Sequence, residues 1–325
     1  MSDSLLEVAN LSVDFHSAEG AVHAVRGLRY TLERGQTMCL VGESGCGKST
    51  SALALLGLLP KRAGRIVGGH VLFEGVDLVG LSERELRRIR GRRIGMIFQD
   101  PLSSLNPVLT VGRQITEQIE GHTRLSGGQA KRDALSLLAR VAFPDPDRAF
   151  RTYPHQLSGG MRQRAMIAMS LSCRPSLLIA DEPTSALDVT TQAQILTLLA
   201  ELRSEFGLAV LLITHDLGLV AGFAERTAVM YAGRIVEIGM TEQVIDAPTH
   251  PYTLGLLGSV ARFDRPKGAV LPTIPGMPPD LSQELIGCPF RPRCRFAIAR
   301  CTTADPPLEI NARGSYAACW VPQAG

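Results

Sequence analysis

Apolar runs separated by glycine-rich and polar segments predict an α/β fold for this chain. Residues 5–15 alternate roughly between apolar and polar side chains, as a half-buried strand does. The runs "LLIAD" at 177–181 and "LAVLLIT" at 208–214 are almost continuously apolar. Such short runs are typical of parallel strands that are covered on both faces. We therefore expect a mainly parallel sheet whose strands are buried.

The remaining pattern divides the chain into further segments. Residues 37–60 predict a strand, a glycine-rich turn and a helix, and residues 65–81 predict a β hairpin with glycines at its turns. A basic helix and a short strand follow, and the segment from about 101 to 173 is mostly helical with breaks at prolines. After about residue 263, proline and glycine become frequent. This change in composition predicts two domains, over 1–262 and 263–325.

Charge and hydropathy exclude some classes of protein. The 325 residues carry a formal net charge of +3, which is small for a dedicated nucleic-acid binder. The basic run at 84–93 lacks interleaved aromatic residues, so it is interpreted as a solvated helix face. No apolar run of about 18 residues and no secretory signal is found. We expect a cytosolic protein that reaches a membrane only through partners.

The segment "GESGCGKST" at 42–50 fits the phosphate-binding pattern G-x-x-x-x-G-K-[ST] between a predicted strand and helix. Its glycines let backbone N–H groups turn towards phosphate oxygens, and the helix that follows adds its positive N-terminal dipole. Lys48 supplies a positive charge for the β- and γ-phosphates, and Ser49 is a ligand for Mg²⁺. Cys46 is interpreted as a small side chain that fits the loop, with a redox-sensitive thiol as the alternative. The predicted nucleotide-binding residues here are Gly42, Glu43, Ser44, Gly45, Cys46, Gly47, Lys48, Ser49 and Thr50.

Polar side chains follow three of the predicted strands. Asp181 and Glu182 end the strand in "LLIADEP", where Asp181 is placed to hold Mg²⁺ and Glu182 to polarise the attacking water. His215 follows the next buried strand, and Gln99 follows the strand "IGMIF". Ligands bind at the carboxyl ends of parallel strands, so we expect these side chains at the nucleotide.

These motifs in this order resemble the nucleotide-binding subunit of ABC transporters over residues 5 to about 262. The resemblance implies an α/β P-loop NTPase (RecA-like) core with a mainly parallel sheet, an antiparallel β subdomain, a helical subdomain over about 101–173 and an irregular C-terminal extension. It also implies two ATPase subunits that sandwich ATP and Mg²⁺. In that arrangement the P-loop of one subunit and the LSGGQ signature of the other contact each ATP.

The same resemblance assigns roles to individual residues. Phe15 matches the aromatic residue that stacks on adenine. Gln99 matches the residue that senses Mg²⁺ and the attacking water. Asp188, in "SALD", matches the loop at the dimer interface, and His215 matches the switch histidine.

The signature "LSGG" occurs twice, at 125–128 and at 157–160. Ser126 and Ser158 are both placed to cap a helix. Only the second copy is followed by one helix that leads directly into the strand bearing Asp181, which is the family pattern. We therefore expect Ser158, Gly159 and Gly160 to contact the ATP of the partner subunit. The first copy is interpreted as a loop that caps a helix.

Two further segments indicate which subfamily of ABC transporter subunits the chain resembles. "FQDPLSSLNPVLTVGRQI" at 98–115 and "PTHPYTLGLL" at 248–257 resemble subunits that serve oligopeptide, dipeptide and nickel importers. The resemblance implies a peripheral ATPase at the cytoplasmic face of the inner membrane. Its expected partners are a second, related ATPase, two permeases and an extracytoplasmic peptide-binding protein, with no nucleic acid. Nickel or glutathione import is the alternative, and a soluble ABC ATPase outside transport is a more distant one.

Four cysteines cluster in the last 38 residues, at Cys288, Cys294, Cys301 and Cys319. Four thiolates suit either Zn²⁺ or an iron–sulfur cluster. Their spacing lacks the close C-x2-C pairs of zinc ribbons. Similar subunits carry a 4Fe–4S cluster on such a tail, and this is the expectation here. Zinc and unligated thiols remain as alternatives.

Overall fold

The computed structural model describes residues 4–18, 20–259, 273–311 and 313–323. Within these ranges the chain forms twelve strands and ten α-helices, with four short 3₁₀ segments. The strands are β1 (Ser4–Ser17), β2 (Gly20–Glu33), β3 (Thr37–Val41), β4 (Gly64–Phe73), β5 (Val76–Asp77), β6 (Ile94–Ile97), β7 (Leu177–Asp181), β8 (Ala209–Thr214), β9 (Arg226–Tyr231), β10 (Arg234–Met240), β11 (Glu309–Ile310) and β12 (Tyr316–Ala317). The helices are α1 (Lys48–Leu55), α2 (Glu83–Ile89), α3 (Pro101–Ser104), α4 (Val111–His122), α5 (Gly128–Arg140), α6 (Pro146–Arg151), α7 (Gly159–Leu171), α8 (Val189–Phe206), α9 (Thr241–Asp246) and α10 (Pro251–Ser259).

The first of two compact units comprises Met1–Leu5, Glu33–Gln36 and Gly80–Leu212. Its strands follow the order β8-β7-β6, and β6 and β7 are parallel. Every residue of β7 is buried, as the apolar run predicts. Helices α4, α5, α6 and α7 pack against one another and form the helical part of the unit. The prediction that the segment from about 101 to 173 is mostly helical is therefore confirmed.

The second unit comprises Leu6–Leu32, Thr37–Val79 and Ile213–Gly325. It contains a four-stranded sheet in the order β2-β1-β4-β5, whose β1–β4 and β4–β5 pairs are antiparallel. It also contains the strand order β11-β12-β10-β9-β3, in which β3 and β9 are parallel. All five residues of β3 are buried, so this strand fixes the position of the loop that follows it.

The C-terminal segment is mostly irregular, as expected, but it also adds two short strands. β12 pairs with β10 in antiparallel register, with Glu237 opposite Ala317. The predicted domain boundary at 262/263 lies outside the described residues and stays a prediction. In the part of the chain that the structure describes, none of the helices has the length and apolarity that crossing a bilayer requires.

Candidate functional site

The loop between β3 and α1 is shaped by glycines at two close backbone approaches. A Cβ on Gly42 would lie 2.2 Å from the carbonyl oxygen of Met230, so only glycine fits there. Gly47 has a φ of 103° and would place a Cβ 2.2 Å from the carbonyl oxygen of Ala24. Helix α1 begins at the next residue. The loop therefore has the strand–turn–helix context that phosphate binding requires.

Lys48 lies over this loop rather than in solvent. Its side chain is buried, and its Nζ donates hydrogen bonds to the carbonyl oxygens of Gly42 at 2.7 Å and Glu43 at 3.0 Å. Ser49 and Thr50 occupy the first turn of α1, while Ser44 and Gly45 are exposed. A fixed ammonium group among backbone N–H groups and a helix N-terminus is suited to binding a polyphosphate.

Two other predicted residues of this unit are placed by close packing. Cys46 is buried, and burial raises the pKa of its thiol above the ordinary value, which favours the space-filling interpretation over a reactive thiolate. Phe15 is half-buried on β1 opposite Gly64, where a Cβ would meet the Phe15 ring at 3.0 Å. An aromatic face is thus held at the end of β1.

In the other unit, the parallel strands β6 and β7 end side by side, with Ile97 opposite Ala180. Gln99 and Glu182 follow these ends, and the Gln99 Nε2 donates a hydrogen bond to the Glu182 Oε2 at 3.2 Å. Asp181, the last residue of β7, is buried. The structure therefore brings together three of the predicted side chains at one edge of the strands.

The backbone of Glu182 is in the left-handed region, with a φ of 45°. This conformation is uncommon for residues other than glycine and asparagine, and it costs free energy that the surrounding fold must supply. The carbonyl oxygen of Glu182 accepts hydrogen bonds from the backbone N–H and the hydroxyl of Ser185. A tight turn thus directs the candidate base immediately after the buried strand.

Ser158 caps α7, because its Oγ accepts a hydrogen bond from the Met161 N–H at 3.3 Å. Ser158 and Gly159 are exposed at this helix N-terminus. A Cβ on Gly160 would lie 3.0 Å from the Thr191 side chain at the start of α8. The second signature copy is thus an exposed helix N-terminus, and α7 leads into β7 as predicted.

The first signature copy differs, and one prediction about it is wrong. The residue that caps α5 is Gly127, with a φ of 53° and no side-chain hydrogen bond, rather than Ser126. The backbone N–H of Gly127 is bonded to the Glu120 carboxylate at 2.9 Å. Because glycine reaches this positive φ without strain, the chain uses it in place of the serine hydroxyl.

Asp188 and His215 lie at the starts of the segments that follow β7 and β8. Asp188 caps α8 by accepting hydrogen bonds from the N–H and hydroxyl of Thr191, and these bonds lower the pKa of its carboxyl group. His215 is exposed directly after Thr214, the last residue of β8. Both side chains are exposed, and their assignments to the dimer interface for Asp188 and to the γ-phosphate for His215 stay predictions.

The "HPYT" segment is anchored by a buried carboxylate on β10. Glu237 accepts hydrogen bonds from the N–H and hydroxyl of Thr249 and from the N–H of His250. The His250 Nδ1 in turn accepts from the Tyr252 N–H at 3.0 Å. The Tyr252 hydroxyl accepts a hydrogen bond from the Glu43 N–H at 2.8 Å. This segment therefore contacts the glycine-rich loop directly.

A second contact with the loop comes from the cysteine-rich segment. The guanidinium of Arg293 donates two parallel hydrogen bonds to the Glu43 carboxylate, at 2.7 and 2.8 Å. Sequence analysis identified neither Arg293 nor Tyr252 as a functional residue. The one available signal was the negative charge of Glu43 in a loop that binds phosphates, which favours a positively charged partner such as Arg293.

The four C-terminal cysteines are free thiols that line one small cavity, together with His250, Phe290 and Trp320. Burial raises the pKa of the Cys288, Cys294 and Cys319 thiols, to about 11 for Cys319. Backbone N–H groups oppose this rise. They come from the residues two positions further along, which are Phe290, Phe296 and Val321.

Among the described residues, no three histidine, cysteine, aspartate or glutamate side chains are arranged to hold a single metal ion. Tetrahedral zinc requires sulfur atoms at about 2.3 Å from the metal. A larger iron–sulfur cluster holds its thiolates further apart and gains from N–H groups directed at sulfur. Four thiols that line one cavity, with backbone N–H groups at three of them, are compatible with the donor set of such a cluster.

Comparison with known proteins gives matches over almost the whole chain. Residues 25–185 match the ABC transporter family, and residues 236–301 match the C-terminal region of oligopeptide/dipeptide transporters. A probable peptide ABC transporter ATP-binding protein of Sinorhizobium fredii is 51% identical over 98% of this chain and 95% of its own length. The dipeptide transport ATP-binding protein of Bacillus subtilis is 49% identical, and the oligopeptide transport ATP-binding protein of Salmonella typhimurium is 51% identical. Each of these two alignments covers 98% of this chain. They cover 95% of the Bacillus subtilis protein and 94% of the Salmonella typhimurium protein.

Solved structures agree with these matches. A dimeric ATP-binding cassette in a post-hydrolysis state with ADP and Pi is similar with a TM-score of 0.66 and 28% identity, over 73% of this chain and 98% of its own. A subunit of an ABC transporter complex from Clostridium perfringens is similar with a TM-score of 0.64 and 27% identity. The match covers 75% of this chain and 92% of that subunit. The fold is therefore that of an ATP-binding cassette.

Proposed function

Because the chain belongs to the ABC transporter family, in which it is an ATP-binding ATPase subunit, we propose that it drives an importer for dipeptides or oligopeptides. The observation that carries this proposal is the contact between the "HPYT" segment and the glycine-rich loop at 42–50, which is the P-loop of this chain. The Glu43 N–H and the Tyr252 hydroxyl make this contact. That segment belongs to the region shared with oligopeptide/dipeptide transporters. The part of the chain typical of peptide importers is thus joined to the loop that binds ATP.

The P-loop residues bind the phosphates in this proposal. Backbone N–H groups of the loop and the N-terminus of α1 contact the phosphate oxygens, and Lys48 neutralises charge on the β- and γ-phosphates. Ser49 is a ligand of Mg²⁺, and Phe15 stacks on adenine. Mg²⁺ neutralises the negative charge that develops on the transferring phosphoryl group.

The strand-end residues carry out hydrolysis in this proposal. Asp181 and Gln99 are assigned to Mg²⁺, and Glu182 accepts a proton from the attacking water. Gln99 holds the Glu182 carboxylate by a hydrogen bond, which limits its orientation. His215 contacts the γ-phosphate. Asp188, the exposed residues Ser158 and Gly159, and the half-buried Gly160 face a second ATPase subunit.

Four partners complete the assembly in this proposal: a related ATPase, two permeases and an extracytoplasmic binding protein. Attachment to the permeases places the chain at the cytoplasmic face of the inner membrane. The test is uptake of labelled dipeptides, longer peptides, glutathione and Ni²⁺ by cells in which Lys48→Ala or Glu182→Gln replaces the native chain. Loss of peptide uptake supports the proposal, whereas loss of glutathione or Ni²⁺ uptake alone identifies the alternative.

We also propose a 4Fe–4S cluster held by Cys288, Cys294, Cys301 and Cys319. Support comes from the shared cavity of the four thiols and from the N–H groups directed at three of them. When bound, the cluster contributes a structural link or a redox-active group. Chain purified without oxygen is expected to contain iron and sulfide and to absorb visible light, and Cys301→Ser is expected to lose both. Zinc in place of iron, or no metal, would contradict the proposal.

A further inference from the structure

Glu43 places a negative charge in a loop that binds a polyphosphate. It is the second residue of the loop, between the close-packed Gly42 and the exposed Ser44. Like charges at short range repel, and the repulsion grows where water is partly excluded. The Glu43 side chain is 25% exposed, so solvent screens it only in part. An uncompensated carboxylate here would weaken ATP binding.

Arg293 compensates this charge with defined geometry. Its two terminal nitrogens donate one hydrogen bond to each carboxylate oxygen of Glu43, at 2.7 and 2.8 Å. Two parallel bonds from a planar guanidinium fix the orientation of the carboxylate as well as its charge. An arginine guanidinium is charged at every physiological pH, so it neutralises the carboxylate throughout that range.

The position of Arg293 is itself fixed by its surroundings. Its side chain is only 5% exposed, and its Nε donates to the carbonyl oxygen of Pro275 at 2.9 Å. The guanidinium also lies 5.8 Å from the ring centre of Tyr231. An arginine held in this way needs little reorganisation to keep its partner in place. It lies between Cys288 and Cys294, so the cysteine-rich segment carries it.

Three groups of Glu43, its carbonyl oxygen, its N–H and its carboxylate, each have a hydrogen-bond partner. Its carbonyl oxygen accepts from Lys48, its N–H donates to Tyr252, and its carboxylate accepts from Arg293. Two of these three partners belong to the C-terminal part of the chain. The contacts with Lys48 and Tyr252 restrain the backbone of Glu43, and the contact with Arg293 restrains its side chain. Together they limit the direction of the N–H groups that follow in the loop.

We infer that Arg293 is a positioning residue of the nucleotide site, which neutralises Glu43 and holds the P-loop in its phosphate-binding conformation. The C-terminal cysteine-rich segment then contributes to ATP binding, because it supplies Arg293. This inference rests on the proposed binding of ATP at the loop. It assigns Arg293 no contact with ATP, since its effect passes through Glu43.

The test is ATP affinity of the purified full chain with Mg²⁺, measured by calorimetry. Arg293→Gln leaves the Glu43 carboxylate without its partner and is expected to weaken ATP binding by about tenfold or more. The loss is expected to shrink as salt is added, because salt screens the repulsion. Arg295→Gln is the matched control, since Arg295 is exposed two positions away and lies over the Phe296 ring. It is expected to bind ATP as the native chain does.

The decisive variant is the double substitution Arg293→Gln with Glu43→Gln. It removes the uncompensated charge, and it is expected to restore affinity to within about threefold of the native value. A structural role alone predicts no such rescue. Arg293→Lys keeps the charge but loses the paired geometry, so an intermediate affinity is expected, and this variant serves if Arg293→Gln does not fold.

The outcomes separate this inference from the proposed function. A native chain that binds no ATP contradicts the proposed function. A native chain that binds ATP while Arg293→Gln binds equally well overturns the inference alone. A loss in Arg293→Gln that Glu43→Gln does not restore also overturns it.

Discussion

At the residue scale, the candidate base is held by a strained backbone. Glu182 has a φ of 45°, and its side chain is restrained by the hydrogen bond from Gln99. Residues in this conformation concentrate at functional sites, because the fold must stabilise them for a purpose other than stability. Five other non-glycine residues of the described ranges also have a positive φ, so the strained backbone describes how Glu182 is placed and does not by itself identify it as the base.

Replacing Glu182 by glutamine is expected to separate ATP hydrolysis from ATP binding. The amide keeps the size of the side chain but accepts no proton from water, so hydrolysis is expected to fall by about 100-fold or more. ATP affinity is expected to stay within about threefold. Phosphate release and calorimetry measure the two effects. Glu201→Gln, at an exposed position on α8, is the control, and a Glu182→Gln chain that still hydrolyses ATP would remove Glu182 from the mechanism.

Gly42→Ala is expected to damage the P-loop through a direct clash. Its Cβ would meet the Met230 carbonyl oxygen at 2.2 Å and the Cys46 sulfur at 2.9 Å. We expect a loss of stability of about 1–3 kcal/mol, together with weaker ATP binding. Gly121→Ala, in α4 with open space around it, is expected to be neutral or stabilising by up to about 1 kcal/mol. Denaturant unfolding compares the two, and equal effects would contradict the steric argument.

Some of the site geometry can be expected from the sequence, because the ends of buried parallel strands can be located from their apolar runs. The contact between Gln99 and Glu182 follows from two parallel strands that end at the same edge, and the runs of apolar residues identify those strands. The contact between Arg293 and Glu43 had no such local pattern. The two residues come from an irregular segment and a loop, and only the tertiary fold brings them together.

At the element scale, the two LSGG copies differ in what begins their helices. Ser158 caps α7 through its hydroxyl, whereas Gly127 is the cap residue of α5 and leaves the Ser126 side chain without a capping role. The sequence could not separate these cases, because both serines precede a helix at similar distances. The choice depends on whether the glycine adopts a positive φ, which tertiary contacts such as that with Glu120 decide.

Ser158→Ala is expected to lower both stability and ATP hydrolysis, whereas Ser126→Ala is expected to change neither. Loss of the α7 cap costs about 0.5–2 kcal/mol, and loss of the exposed hydroxyl removes a contact to ATP bound by the partner ATPase. Unfolding of the chain and ATP hydrolysis in the assembled transporter measure the two effects. A stronger effect of Ser126→Ala would reverse the assignment of the two copies.

The predicted strands agree with the structure where they are long and apolar. β2, β9 and β10 have no counterpart among the strands predicted from the sequence. The same is true of β11 and β12, which have two residues each and carry no periodic pattern. β12 exists because it pairs with β10, so its conformation comes from the partner strand and not from its own sequence.

At the scale of the whole molecule, ATP is expected to stabilise the fold. A ligand that binds only the folded chain adds about 2.7 kcal/mol at a free concentration 100-fold above Kd. Lys48→Ala removes the charge that holds the phosphates, so this stabilisation is expected to be lost. Ser126→Ala is expected to retain it. Thermal unfolding with and without Mg²⁺-ATP makes the comparison, and equal stabilisation of the Lys48→Ala chain would exclude the P-loop as the binding site.

The pair between Glu43 and Arg293 also has a consequence for the order of events during synthesis. The two residues are 250 positions apart, and a ribosome adds roughly 5–20 residues each second. The P-loop therefore leaves the ribosome tens of seconds before the arginine that neutralises its carboxylate. During that interval the nascent chain carries a P-loop with an uncompensated negative charge. The nucleotide site of a newly made chain is therefore completed only after the cysteine-rich segment has been synthesised and has folded against the loop.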